Sequence, residues 1–135
     1  MDVLKSKWFL VNIFSLLLTT FVFSQVEVIK EEISIIDKKA LIINDKYSSS
    51  INGRTFQKDA LISHKGYQYI VHYNNDRRVC ISRRKLPAGN WKTIKFLDYH
   101  FKSNDSHNCI SMGICPNDGT IHLAFDHHVD DLHYR

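Results

Sequence analysis

Two short stretches carry the residues that could do chemistry: Ser103-Asn104-Asp105-Ser106-His107-Asn108 and, twenty residues on, Phe125-Asp126-His127-His128-Val129-Asp130. Each sets imidazoles beside carboxylates and amides. An imidazole takes a proton near neutral pH, and a neighbouring Asp or Asn can fix its tautomer, so such patches point to proton transfer. Five of the eight histidines (His107, His122, His127, His128 and His133) lie between His107 and the last residue, Arg135. His107 precedes one expected strand and His127 follows the next. The two ends of an antiparallel hairpin lie side by side, so these two residues are expected on one rim. His122 and His133 fall at positions expected to pack between sheets. Asp126, His127, His128, Asp130 and His133 could offer nitrogen and oxygen ligands, but consecutive residues of extended chain point to opposite faces and no Cys-x-x-Cys pair is present. We therefore expect no metal and no cofactor.

The elements that must position these residues read as β structure. Ala60 to Ser63, Tyr67 to Tyr73, Arg78 to Arg84 and Trp91 to Phe96 are strand-like runs. Lys65-Gly66, Asn74-Asn75-Asp76 and Pro87-Ala88-Gly89-Asn90 supply the turns between them. Cys109 to Ile114, Thr120 to Asp126 and Leu132 to Arg135 begin a second copy, with Gly119 standing to Gly66 as Leu123 does to Ile70 and Tyr134 to Ile81. A repeat near 50 residues with four strands per unit is the pattern of a β-propeller blade. A β-sandwich has similar strand spacing, but here strand order repeats as well, which favours the propeller. Ile33, Ile35, Ile36 and Leu41 to Ile43 are strand-like, and Tyr47 to Gly53 reads as loop. An open pair of blades would expose edges and faces, so the chain is expected to be the N-terminal part of a longer protein and not to fold stably alone.

Composition and the N-terminus bound the setting. The 135 residues, 44% hydrophobic and 24% charged, suit one small globular domain. A formal charge of +4 is mild; a solvated strand edge accounts for it, and an anionic substrate is compatible with it. No aromatic-interleaved basic stripe is present, so nucleic acid is not expected as a partner. Lys5 and Lys7 precede an apolar run from Trp8 to Phe23, and Val22-Phe23-Ser24 suits a signal peptidase. We expect a signal peptide over 1–24 with cleavage before Gln25, a lead-in segment over 25–58 and blades over 59–135. The apolar run is shorter than the roughly 20 residues that span a bilayer, so the product is expected to be secreted, extracellular or periplasmic, without stable membrane association. The three cysteines, Cys80, Cys109 and Cys115, are expected to be buried thiols.

From Tyr67 onward the chain resembles the BNR repeat-containing family. The resemblance rests on Tyr73-Asn74-Asn75-Asp76-Arg77-Arg78, Lys102-Ser103-Asn104-Asp105-Ser106-His107-Asn108, His122-Leu123-Ala124-Phe125-Asp126-His127-His128 and Leu132-His133-Tyr134-Arg135. The Ser-x-Asp-x-Gly-x-Thr-Trp box that names BNR repeats is absent, and Pro116-Asn117-Asp118-Gly119-Thr120 is a partial echo of it. That family includes secreted seven-bladed propellers that act as lyases on ulvan. The resemblance implies an all-β propeller, here its first two blades, and β-elimination at a uronic acid of an anionic polysaccharide. It implies His107 as the catalytic histidine and His127 as its companion, with the partnering tyrosine and the carboxylate-neutralising arginine beyond Arg135. Asn104, Asn108, His128 and Arg77 are expected as substrate contacts. A histidine base would need neither metal nor covalent intermediate, whereas a glycosidase would need two carboxylates, for which Asp105, Asp126, Asp130 and Asp131 are available. A sialidase-like glycoside hydrolase and a propeller that binds glycans without cleaving them are the alternatives.

Overall fold

The computed structural model describes residues 33–39, 41–54, 57 and 59–135, and within them the chain is all-β. The expected signal peptide over 1–24 lies outside the described residues. Among those described, no helix is long and apolar enough to cross a membrane.

Four strands, β1 (Leu61–His64), β2 (Tyr67–Tyr73), β3 (Val79–Lys85) and β4 (Lys92–Lys95), form an antiparallel meander. Three more, β5 (Ile110–Ile114), β6 (Ile121–Phe125) and β7 (His133–Tyr134), form a second meander in the same order. The expected strands are thus present, all but β2 shifted by one residue or trimmed by one residue at one or both ends. The β1–β2 hairpin turns on Lys65 and Gly66, both with positive φ (46° and 77°), flanked by the His64–Tyr67 pair. Two left-handed residues match the twist of the strands they join, which is why a glycine stands there. At the equivalent place Gly119 has φ 79° and donates its N–H to the Cys115 carbonyl at 2.9 Å.

The core lies between the facing sides of the two sheets. Pairing sets Val71 opposite Ile81 and Tyr73 opposite Val79 in one sheet, Ile110 opposite Phe125 and Met112 opposite Leu123 in the other. Period-two alternation puts these residues on one side of each strand, and all but Ile81 are buried. Leu41, Ile43, Ile51 and Phe101 complete the cluster. A buried Leu such as Leu123 cut to Ala typically costs about 2–5 kcal/mol, so this contact between sheets is a main source of stability. The sheets are also tied through backbone, with Met112 N–H donating to the Asp59 carbonyl at 3.0 Å.

Three expectations are corrected. The isoleucines expected in strands before Tyr47 form no strand among the described residues: Ile33 and Ile35 are exposed, Leu41 and Ile43 enter the core from irregular chain, and Ile42 makes one isolated bridge to Ser50. His122 is exposed rather than packed between sheets, because it sits on the outer face of β6, where it bonds Thr120 Oγ1 at 3.1 Å and the Tyr134 hydroxyl. All three cysteines are free, but only Cys80 and Cys109 are buried; Cys115, at the β5–β6 turn, is half-buried.

Candidate functional site

The site is built around one buried amide. Asn108, two residues before β5, is fully buried. Its Oδ1 accepts the N–H groups of His127 and His128, each at 2.9 Å, and its Nδ2 donates to the His128 carbonyl at 3.2 Å. The loop leaving β6 is thereby fixed to the segment entering β5. Asp126 and Val129 on that loop are left-handed, with φ 51° and 55°. For a β-branched residue such as Val129 this is a strained backbone, a kind of strain that gathers at functional loops.

Asp105 then gathers the imidazoles. His107 Nδ1 lies 2.7 Å from Asp105 Oδ1 and His128 Nδ1 lies 2.9 Å from Asp105 Oδ2, so one carboxylate holds both rings. The His107 backbone N–H also donates to Oδ1, at 2.8 Å. The ring centroids are 4.7 Å apart, and Tyr47 meets His107 edge-on at 5.8 Å. Asp45 accepts the Ser106 N–H at 2.6 Å, which seats the segment from below. Both histidine side chains remain close to half exposed, at 42% and 48%.

The protonation pattern follows from this geometry. Burial pushes the Asp105 carboxyl upward, but the His107 amide and the two imidazoles it accepts from outweigh that, and the group lies below its ordinary value. An ionised carboxylate only accepts, so both Nδ1 atoms carry hydrogen and each neutral ring has its lone pair on Nε2. Nε2 is the nitrogen that can take a proton from a bound molecule, or return one.

Beneath the rim lies a second polar pair. The Tyr73 hydroxyl, at the end of β2, donates to Asp126 Oδ1 across the two sheets. Asp126 is fully buried and its Oδ2 has no partner among the described residues. Burial raises its pKa to about 6; the Tyr73 hydroxyl opposes this, and the nearby Asp130 charge adds to it. Burial, then the Asp126 charge, raises the Tyr73 hydroxyl as well.

The expected site residues are thus placed as follows. His107 is joined by His128 rather than by His127: Asp126 is left-handed, so the alternation of extended chain does not carry past β6. His127 is exposed on the same loop, its backbone N–H held by Asn108. Asn108, expected as a substrate contact, is buried with its amide engaged by the loop, and is a positioning residue instead. Arg77 is likewise a bracket: Nε donates to the Phe101 carbonyl at 2.8 Å and Nη2 to the Ser103 carbonyl and to Asn104 Oδ1. Asn104 is exposed on the rim, 3.1 Å from Arg77 through that bond. Among the described residues, Asp105, His107 and His128 form the group whose ligand atoms come together, within 4.8 Å of one another; the run from Asp126 to His133, from which no metal site was expected, does not. Asp45, Tyr47 and Tyr73 were not foreseen. The bridging role of Asp105 had a signal in the sequence, a carboxylate two residues before a histidine.

The chain is similar to known proteins over part of its length. Over 82 residues, 54% of this chain, it is 35% identical to an "Ulvan lyase, long isoform" of Alteromonas sp. and 34% identical to one of Glaciecola sp. (strain KUL10), covering 8% of each. It is 34% identical over 84 residues to the "Ulvan lyase, short isoform" of Alteromonas sp. (strain LOR), covering 16% of that protein. The chain therefore spans only a small part of the length of these relatives. The profile described as "BNR repeat-containing family member" matches residues 67–135, which include both sheets from β2 onward and every histidine of the rim. The protein belongs to the BNR repeat-containing family.

Proposed function

We propose that this chain is part of a secreted β-propeller lyase that cleaves a uronic-acid-containing polysaccharide, of the kind its ulvan lyase relatives are named for, by β-elimination. The observation that carries the reading is the pair of imidazoles bridged by Asp105, at 2.7 and 2.9 Å. In such a reaction the C5–H bond of the uronate breaks, a C4–C5 double bond forms and the C4–O glycosidic bond breaks. The base keeps the C5 proton and the departing oxygen takes another. The pair offers two Nε2 atoms on one rim for these transfers, with His107 and His128 as the histidines concerned and His127 beside them. A group that neutralises the uronate carboxylate is required in addition, because that charge otherwise opposes removal of the C5 proton. The two successive meanders support the propeller reading, with the chain supplying the first blades over 59–135, a lead-in over 25–58 and a signal peptide over 1–24.

A glycoside hydrolase is less well served by the same residues. It needs two carboxylates flanking the bond, yet Asp105 has both oxygens engaged by histidines and Asp126 is buried against Tyr73, which leaves Asp130 and Asp131, exposed neighbours on one loop.

The test is the full-length protein incubated with ulvan and other uronate glycans, followed by ultraviolet absorbance of the unsaturated product. Growth of that signal in the parent and its loss in His107→Ala is the expected result. Reducing ends released without ultraviolet absorbance would indicate hydrolysis. Glycan binding with no turnover on any substrate would overturn the lyase reading in favour of a binding propeller.

A further inference from the structure

The end of the first sheet opposite the histidines holds a basic groove of about 340 Å³, lined by Tyr67, Arg83, Arg84, Lys85, Asn90 and Lys92, with Gly89 at its turn. Register explains the clustering: Tyr67 pairs with Lys85 and Arg83 with Lys92, so four of these side chains share one face across three neighbouring strands. Seven residues of β2 separate this end from Tyr73, roughly 20 Å at the rise of extended chain, so the groove is not an extension of the histidine rim.

Three features distinguish it from an ordinary solvated basic face. Among the described residues no acidic side chain lines it, and Arg83, Lys85 and Lys92 have no carboxylate partner. Two cations outside it are paired with carboxylates, Lys95 with Asp76 and Arg135 with Asp98, and Arg78 is bound to the carbonyls of Leu97 and Tyr99. The guanidinium groups are also held in place, Arg83 over the Tyr67 ring at 4.8 Å and Arg84 over Trp91 at 5.0 Å with Nε donating to Gln68 at 2.8 Å. Finally, the turn is shaped for close approach. A Cβ on Gly89 would lie 2.6 Å from the Lys85 carbonyl oxygen, so only glycine lets the turn close on β3 at this point.

We propose that this groove is a second binding site, for sulfate-ester or carboxylate groups carried along a polysaccharide chain. Ordered guanidinium forks and flanking ammonium groups recognise such oxyanions through charge-assisted hydrogen bonds. A single-stranded nucleic acid is the poorer fit, since it needs bare aromatic faces on which bases stack, and here Tyr67 and Trp91 are covered by guanidinium groups. The site stands on its own residues and does not depend on the chemistry proposed for the histidines.

The experiment is calorimetric titration of the full-length protein with heparin, with chemically desulfated heparin and with single-stranded DNA of matched charge. The parent, the triple variant Arg83→Gln/Lys85→Gln/Lys92→Gln, a control Lys38→Gln/Lys39→Gln and His107→Ala are compared. Three exposed charge contacts amount to about a tenfold loss of heparin affinity in the triple variant. The control and His107→Ala are expected to bind heparin as the parent does, and desulfation to weaken binding in these three and to change it little in the triple variant. Unchanged heparin affinity in the correctly folded triple variant overturns the site. Tighter binding of DNA than of heparin, abolished in the triple variant, overturns the polysaccharide assignment.

Discussion

The two sheets use the same device at corresponding ends and present different things with it. In the first, Asn52 clamps the end of β2, donating Nδ2 to the Tyr73 carbonyl at 2.7 Å and accepting the Tyr73 N–H at 2.9 Å. In the second, Asn108 clamps the residues just past β6 through three bonds. Beyond the first clamp the chain closes at once: Asn74 bonds Arg78 through backbone and side chain, and Arg77 and Arg78 reach to carbonyls between Leu97 and Ser103. Beyond the second clamp the loop stays open, and its histidines face solvent. A shared scaffold thus leaves one rim tied to its neighbours and the other open to solvent.

The sharpest way to break this contrast is at Asp105. Asp105→Asn keeps an oxygen for one imidazole but turns an N–H donor toward the other, so one ring loses its fixed tautomer. If the rim performs proton transfer, turnover of the full-length protein on a uronate glycan falls by about 10²–10⁴-fold, the range typical of a lost acid or base. Arg77→Gln, on the closed rim, is expected to lower thermal stability instead and to change kcat less than Asp105→Asn does. Equal losses of kcat in the two variants would erase the distinction between the rims.

Next in size are the clamps. Asn108→Ala removes three bonds and leaves two backbone N–H groups without their acceptor, for a loss of about 2–4 kcal/mol; Asn52→Ala removes two bonds, for about 1–3 kcal/mol. Chemical denaturation gives both values. Only Asn108→Ala is expected also to alter the imidazole resonances of His107 and His128 in NMR spectra, because only that clamp carries the histidine loop.

How much of this could be read from residues alone follows from which forces are local. Tyr67 to Tyr73 was legible as a strand to the residue, since alternation and the Lys65-Gly66 turn are written in consecutive positions. Repetition of strand order in the second sheet was legible for the same reason. His107 was legible as a rim residue from its place before β5. Its partner was not: the choice of His128 over His127 is made by the left-handed Asp126, and positive φ at a non-glycine residue leaves only a weak trace in sequence. Nor could the roles of Asn108 and Arg77 be separated from substrate contact, because an amide or guanidinium engaged by the protein's own backbone has the same letter as one facing a ligand. Asp45 and Tyr47 reach Ser106 and His107 from about sixty positions away, out of irregular chain that carries no periodicity to follow.

The smallest expected effect lies under the contrast, at the bond from Tyr73 to Asp126 that ties the end of one sheet to the end of the other. Asp126 titrates near 6 in the folded protein against 3.8 for the ordinary carboxyl. Between those values the folded state holds a proton that the unfolded chain has released, so this group makes stability fall as pH rises from about 4 to 6 and leaves a constant deficit above that. Asp105 and Asp118, both lowered, act in the opposite sense and mostly below about pH 4, under the Asp126 window. The difference between parent and Asp126→Asn isolates it. Asparagine preserves the oxygen that accepts from Tyr73 and cannot ionise, so melting temperatures of the two should diverge as pH rises from about 4 to 6 and stay apart above that. The variant should be the more stable at pH 7, by about 1–2 kcal/mol after allowing for solvent screening. Parallel curves across that range would mean that Asp126 keeps an ordinary pKa and that the link between the sheets carries a full charge.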